Sequence, residues 1–197
     1  MAEGKKNAKR LGAYLISVDE SGFLLTPSVR KTWAPVGQTP LVRHHFRNQR
    51  ISAISGISVS PCRRRLNLFW MLSQNNIRQL HVYQFLRQVL RHIRKPVIAL
   101  LDNSPTHRGQ PIRAICHRIK RFQVTYFLPY APELNPDEGV WGALKGKLAN
   151  GKPDYIAELE KELLRELRKI NRSQRRLWGY IHHYDDRQAT MMIVKPL

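Results

Sequence analysis

Residues 95–109 read KPVIALLDNSPTHRG, an apolar run held between a proline and the turn-forming sequence Asp-Asn-Ser-Pro. VIALL (97–101) has strand length and no polar alternation, which predicts a strand buried on both faces that delivers Asp102 at its carboxyl end. Upstream, Val82, Leu86, Val89, Leu90 and Ile93 recur at spacings of three and four, so an amphipathic helix is expected from Asn76 until Pro96 stops it. Arg87, Arg91 and Arg94 form a basic stripe on its other side. Downstream, a second basic amphipathic helix (about 111–121) leads into VTYFL (124–128), a second strand. Strand, helix, strand in this order predicts a parallel crossover and an α/β fold.

Further out, AYLISV (13–18) reads as a short strand running into Asp19, and RISAISGISVS (50–60) alternates with period two, as a half-buried strand does. TPSVRKTWAPVGQTPLVRHH (26–45) carries turn signals at Pro27, Gly37 and Pro40 and reads as a hairpin region, giving three early strands in a meander. Toward the other end, Asn135 is expected to cap a helix with Pro136 at its first position and Asp137 and Glu138 in its first turn. Val140, Trp141, Leu144 and Leu148 continue its apolar side. A last long helix starts near Asp154 and packs through Ile156, Leu159, Leu163, Leu167 and Ile170, with Glu158/Lys161, Glu162/Arg165 and Glu166/Lys169 as i, i+3 pairs. The expected organisation is a basic lead-in (1–12), a core (13–150) and C-terminal helices packing on it (151–197), with GKPD (151–154) as the linker.

The charge is lopsided: 34 Lys and Arg against 14 Asp and Glu give +20. Such an excess calls for a polyanion, and nucleic acid is the expected one; an anionic membrane surface and a merely solvated basic face are the alternatives. No apolar run is long enough to span a bilayer and no apolar core follows the basic N-terminus, so a cytoplasmic protein is expected, nucleoid-associated if bacterial. Cys62 and Cys116 stand far apart without CxxC spacing, which argues against a disulfide framework or a structural zinc site.

Against that positive background the few acids stand out. Asp19 and Asp102 end apolar strands and Glu138 lies in the first turn of a helix, the places where functional groups converge in α/β sheets. Three carboxylates suit a hard divalent cation such as Mg²⁺, and two such ions serve in-line phosphoryl displacement. Each acid also has a plain structural role open to it. Asp102 can start an Asx turn, Glu138 can close a capping box with Asn135, and Asp19 can be a turn residue. Glu20 should point to the opposite face from Asp19, and Asp137, about 100° around the helix from Glu138, reads as a helix-dipole or surface charge.

The segments VDESGFLLTPSVRKTWAPVGQTP, LLDNSPTHRG and LPYAPELNPDEGVWGALKGKL together resemble the catalytic domain of DDE transposases of the mariner-like superfamily, closest to the bacterial insertion-sequence six-thirty group. The resemblance runs from about Lys6 to the last helix. Thirty-five residues separate Asp102 from Glu138, which fits the short spacing of that superfamily. It implies a ribonuclease H-like fold, a central mixed β-sheet flanked by α-helices. It also implies Asp19, Asp102 and Glu138 as catalytic metal ligands, two Mg²⁺ or Mn²⁺ ions, and DNA strand cleavage followed by strand transfer into target DNA. Asn103 and His107 are candidates to orient an acid or contact phosphate, beside simple turn roles. Arg43, Arg47, Arg63, Arg64, Arg65, Arg87, Arg91, Lys145 and Lys147 are candidates for the DNA backbone, and Trp33 and Trp141 for core or site-wall aromatics. Members of the family carry helix-turn-helix domains ahead of the catalytic domain, whereas only a few basic residues precede the first strand here. Element-end recognition is therefore expected from an upstream domain or subunit, with a homodimer to bring two ends together. A non-catalytic nucleic-acid-binding fragment or relic is the alternative reading, and a nuclease acting on RNA-containing substrates a third.

Overall fold

A computed structural model describes residues 8, 10–25, 33–38, 49–127, 134–149 and 153–188. The apolar runs become six strands of one mixed sheet: β1 (Tyr14–Ser17), β2 (Asp19–Leu24), β3 (Arg50–Val59), β4 (Leu66–Ser73), β5 (Val97–Leu101) and β6 (Phe122–Tyr126). β1 is parallel to β5 and β5 to β6, with the helix expected between the last two strands in place, so the crossover predicted from VIALL is present. Leu15↔Val59, Ile16↔Ser58 and Asp19↔Ser55 belong to one antiparallel register, so β1 and β2 run as a single line along β3. β4 closes the other side of β3.

Five helices cover the two faces. α1 (Gln79–His92) and α2 (Gln110–Arg118) pack on one face, where Val82, Phe85, Leu86, Val89, Ile112 and Ile115 meet Ile16, Val18, Ile54, Ala99 and Leu101. α3 (Asp137–Leu148), α4 (Ile156–Arg172) and α5 (Gln174–Gln188) pack on the other, where Trp141, Leu144, Leu159, Leu163, Leu167 and Leu177 meet Phe23, Ile51, Ala53 and Ile57. The basic side of α1 stays exposed, but Arg121 turns inward instead. Its guanidinium donates to the carbonyls of Leu90, Ile93 and Lys95 and so satisfies the end of α1.

Several expectations change. β3 is buried along both faces, not one, because it lies between two strands and two helical layers; its alternating serines are interior. The third early strand is β4, an apolar stretch with no alternation to mark it, while most of the supposed hairpin region lies outside the described residues. Within that region Pro35–Gln38 does turn, with Gln38 N–H donating to the Pro35 carbonyl and Gly37 at φ 81°, a left-handed conformation that favours glycine. Trp33 is fully exposed and is no core residue. Glu162/Arg165 and Glu166/Lys169 pair as expected, whereas Glu158 accepts from the Asp154 N–H at the start of α4. No helix among the described residues is long and apolar enough to cross a membrane.

Candidate active site at the parting of two parallel strands

The last hydrogen bond between β1 and β5 runs from the Val18 N–H to the Leu100 carbonyl at 3.0 Å. Beyond it the strands part: β2 continues along β3, and the chain leaves β5 into a turn. Carrying the Ser17↔Leu100 register two residues on sets Asp19 against Asp102, so both acids lie where two parallel strands open at their carboxyl ends. Asp19 does not end its strand, as its sequence suggested; strand pairing runs on to Leu24, and it is the loss of β5 as a neighbour that opens space beside it.

The third acid arrives on α3. The expected cap shifts by one residue, Pro136 taking it and Asn135 standing just ahead; the Asn135 Oδ1 accepts from the Asp137 N–H at 3.2 Å, and its Nδ2 donates to the Val18 carbonyl at 3.2 Å. Asn135 therefore ties the helix start to the strand just before Asp19. Glu138 is half-buried, and no hydrogen bond to its carboxylate forms among the described residues, so it is not the return arm of a capping box. Asp137 is no surface charge. It is fully buried and accepts from Ser17 Oγ and Ser55 Oγ, each at 2.5 Å, and from the Ile57 N–H. Its carboxylate wedges between β1 and β3, where their ladder is interrupted. Nothing in the local sequence marks it; the signal is the pair of serines on facing strands. Trp141, one turn along α3, is buried and donates its Nε1–H to Asp19 Oδ2 at 2.9 Å, while Phe23 packs edge-on against its ring at 5.9 Å.

Asp102 starts an Asx turn, with the Ser104 N–H donating to its Oδ1 at 2.8 Å. That plain role does not exhaust it. Residues Pro105–His107 form a 3₁₀ turn that folds the His107 ring back, with Nδ1 against the same Asp102 Oδ1 and Nε2 at 2.7 Å from Glu20 Oε1. His107 has no exposed surface, and the Tyr126 hydroxyl donates to its carbonyl. Glu20 does point away from Asp19, as expected, but that face holds His107. Asn103 orients no acid; its Oδ1 accepts from Arg108, whose guanidinium lies 5.1 Å above the Tyr126 ring.

The electrostatics follow from this crowding. Burial, then Asp137, Glu138 and Glu20, push the Asp19 carboxyl up to about 8 against the pull of Trp141. Burial lifts Asp137 to about 6, opposed by its two serines and the Ile57 N–H. Burial is the strongest single influence on Asp102 and acts to raise it, but the hydrogen bond and charge of His107 together with the Ser104 N–H outweigh it, and the carboxyl lies below its usual value. His107 would be lowered by burial, yet Asp102 and Glu20 together raise it to about 10. No cation figures among the groups acting on Asp19, and carboxylates gathered in this way are the hard oxygen donors that a divalent cation takes. Among the described residues no three acidic, histidine or cysteine side chains are close enough to enclose an ion by themselves. Asp19 and Asp102 thus share one end of the sheet by strand register, without forming a protein cage among the described residues.

Lys145 and Lys147 are exposed on the last turn of α3, roughly 10–14 Å along the helix from Glu138 by its rise per residue. Arg63, Arg64 and Arg65 are exposed on the β3–β4 turn, beyond Val59, at the end of the sheet away from Asp19. Arg43 and Arg47 lie outside the described residues. A cleft of about 570 Å³, lined by Tyr14, Trp70, Arg94 and Lys95 among others, also opens at that far end.

A mixed sheet between two helical layers defines an α/β class of fold, and the chain belongs to the DDE superfamily of endonucleases, whose family pattern matches residues 14–160. Among solved structures it is similar to the Mos1 strand transfer complex, at 18% identity and TM-score 0.66, covering 95% of this chain and 56% of that one. The Mos1 mariner paired end complex with Mn gives 19% identity and TM-score 0.68, over 95% and 57%. The isolated catalytic domain of Mos1 mariner transposase gives 16% and 0.60, over 95% and 85%. The shared fold is ribonuclease H-like. The chain spans little more than half of the transposase chains in the two complexes. No curated protein matches it in sequence.

Proposed function

We propose that the chain is the catalytic domain of a DDE transposase of the mariner-like superfamily, nearest the insertion-sequence six-thirty group, acting in metal-dependent cleavage and transfer of DNA strands. The observation that carries this reading is the convergence of Asp19 and Asp102 at the strand parting, with Glu138 on a helix that Asn135, Asp137 and Trp141 lock to the sheet. Asp19, Asp102 and Glu138 would hold divalent cations, Mg²⁺ or Mn²⁺ and two in this reading, whose chemistry is activation of a water or 3′-hydroxyl and stabilisation of the leaving oxygen. Trp141 fixes the orientation of Asp19 Oδ2 and walls that side of the site from water. His107 and the Ser104 N–H hold one oxygen of Asp102, leaving the other to face the opening. Lys145 and Lys147 meet DNA phosphates beside the site, and the +20 charge supports a DNA partner. The similar structures include a Mos1 paired-end complex with left transposon end and the Mos1 strand transfer complex, which supports DNA element ends as substrates and strand transfer as the reaction. A DNA-recognition domain or subunit and a homodimer are the further partners that this reading expects. In this reading catalysis belongs to the unit 13–150, and the described helices from Ile156 to Gln188 cover it.

The test is nicking and joining of duplex DNA by the purified protein with Mg²⁺ or Mn²⁺. Asp102→Asn should bind DNA and cut none. Equal cutting by this variant and the unaltered protein would sink the proposal. Salt-sensitive DNA binding indifferent to metal and to all three acids would establish the non-catalytic alternative instead.

A further inference from the structure

We infer that Glu20 is a positioning residue for Asp102, acting through His107. The inference rests on the reading of Asp102 as a metal ligand and extends it to a residue on the opposite face of the sheet. The Asp102 side chain is 48% exposed and, as the last residue of a strand end, has few neighbours to hold it. What it has is directional. Its Oδ1 takes the Ser104 N–H at 2.8 Å and His107 Nδ1 together. The ring itself is wholly buried and its far nitrogen meets Glu20 Oε1 at 2.7 Å, so it is gripped at both ends and cannot rotate about its own axis.

Glu20 therefore fixes the ring, the ring fixes Oδ1, and Oδ2 is the oxygen left for a ligand. Consecutive residues of β2 thus serve one site from two faces, Asp19 directly and Glu20 from behind. Partners of this kind behind a metal ligand commonly change metal affinity or activity by about 10–100-fold when removed.

The experiment compares Glu20→Gln and Glu20→Ala with the unaltered protein in three measurements: urea unfolding, Mn²⁺ binding by calorimetry, and metal-free crystal structures. Each is repeated in an Asp102→Asn background. The expected result is weakening of Mn²⁺ binding by about 10-fold or more in Glu20→Ala, a smaller effect in Glu20→Gln, and no further weakening when Asp102→Asn is already present. The crystal structures should show the Asp102 carboxylate turned away from its present position in Glu20→Ala. Unchanged Mn²⁺ affinity, or an equal loss in the Asp102→Asn background, would overturn the inference. Should the unaltered protein bind no Mn²⁺ and cut no DNA, the proposed function fails, and the crystal structures alone decide: an unmoved Asp102 carboxylate in Glu20→Ala refutes the positioning role. Loss of the fold in Glu20→Ala would leave Glu20→Gln, which keeps the acceptor's shape, to give the same readouts.

Discussion

The Trp141 indole donates to Asp19 Oδ2 at 2.9 Å across 122 residues of sequence, joining the helix that carries Glu138 to the strand that carries the first acid. Together with the bonds of Asn135 and Asp137 it sets the separation of two of the three proposed ligands. Trp141→Phe keeps most of the ring and loses the donor. Expected are a loss of about 1 kcal/mol in stability and a fall of about 10-fold or more in metal-dependent nicking, read by urea unfolding and a plasmid-nicking assay.

The metal-free protein should lose stability as pH rises. A carboxyl with a folded value above its unfolded one contributes stability that is complete below the unfolded value and is lost as pH climbs to the folded one. Asp19 moves from 3.8 to about 8 and Asp137 from 3.8 to about 6, so both act in that direction. His107, raised from 6.5 to about 10, continues it into the alkaline range. Melting in a chelating buffer should show the decline, up to about 1.4 kcal/mol per pH unit for each titrating group. Asp19→Asn should flatten it between the two Asp19 values, and added Mg²⁺ should reduce it.

Removing Asp137 should cost more than its short side chain suggests. Asp137→Ala strands the Ser17 and Ser55 hydroxyls and the Ile57 N–H in a buried space, at about 2–4 kcal/mol. Asp137→Asn should cost less, because both hydroxyls can turn to suit an amide. Denaturation midpoints of the two variants, with nicking rates beside them, check this.

The basic residues should divide into three kinds. Lys145→Glu with Lys147→Glu should lower the slope of log affinity against log salt by about 0.9 for each phosphate no longer neutralised and reduce nicking. Changing Arg63, Arg64 and Arg65 together to alanine, at the far end of the sheet, should lower affinity for long DNA while leaving the rate at saturating DNA unchanged. Arg121→Met should instead destabilise the fold by about 1–3 kcal/mol, since three carbonyls at the end of α1 are left without their donor. Fluorescence anisotropy across a salt series and urea unfolding separate the three.

Much of the architecture is legible because it is written in short-range patterns. The spacing of Val82, Leu86 and Val89 makes α1, the unbroken apolar run of VIALL makes β5, and Asn135 with Pro136 starts α3; each needs only neighbours within a turn or two. β4 escapes such reading because a stretch such as Leu66–Ser73 lacks clear alternation, and burial against β3 and the α4–α5 layer is what makes it a strand. Asp137 misleads for a related reason: a first-turn acid is ordinarily exposed, and only the two serines opposite bury it.

The sequence by itself determined the α/β class of fold and the strong positive charge, because strand and helix periodicity and net charge are properties of local order and composition; the three proposed ligands came from the family resemblance of three short motifs. Only the tertiary structure decided what holds those ligands. The bonds from Ser17 and Ser55 to Asp137, from Trp141 to Asp19 and from His107 to Glu20 span 120, 82, 122 and 87 residues. No periodicity reaches that far. Such bonds exist only once the sheet has fixed its register and the helices have settled on its two faces.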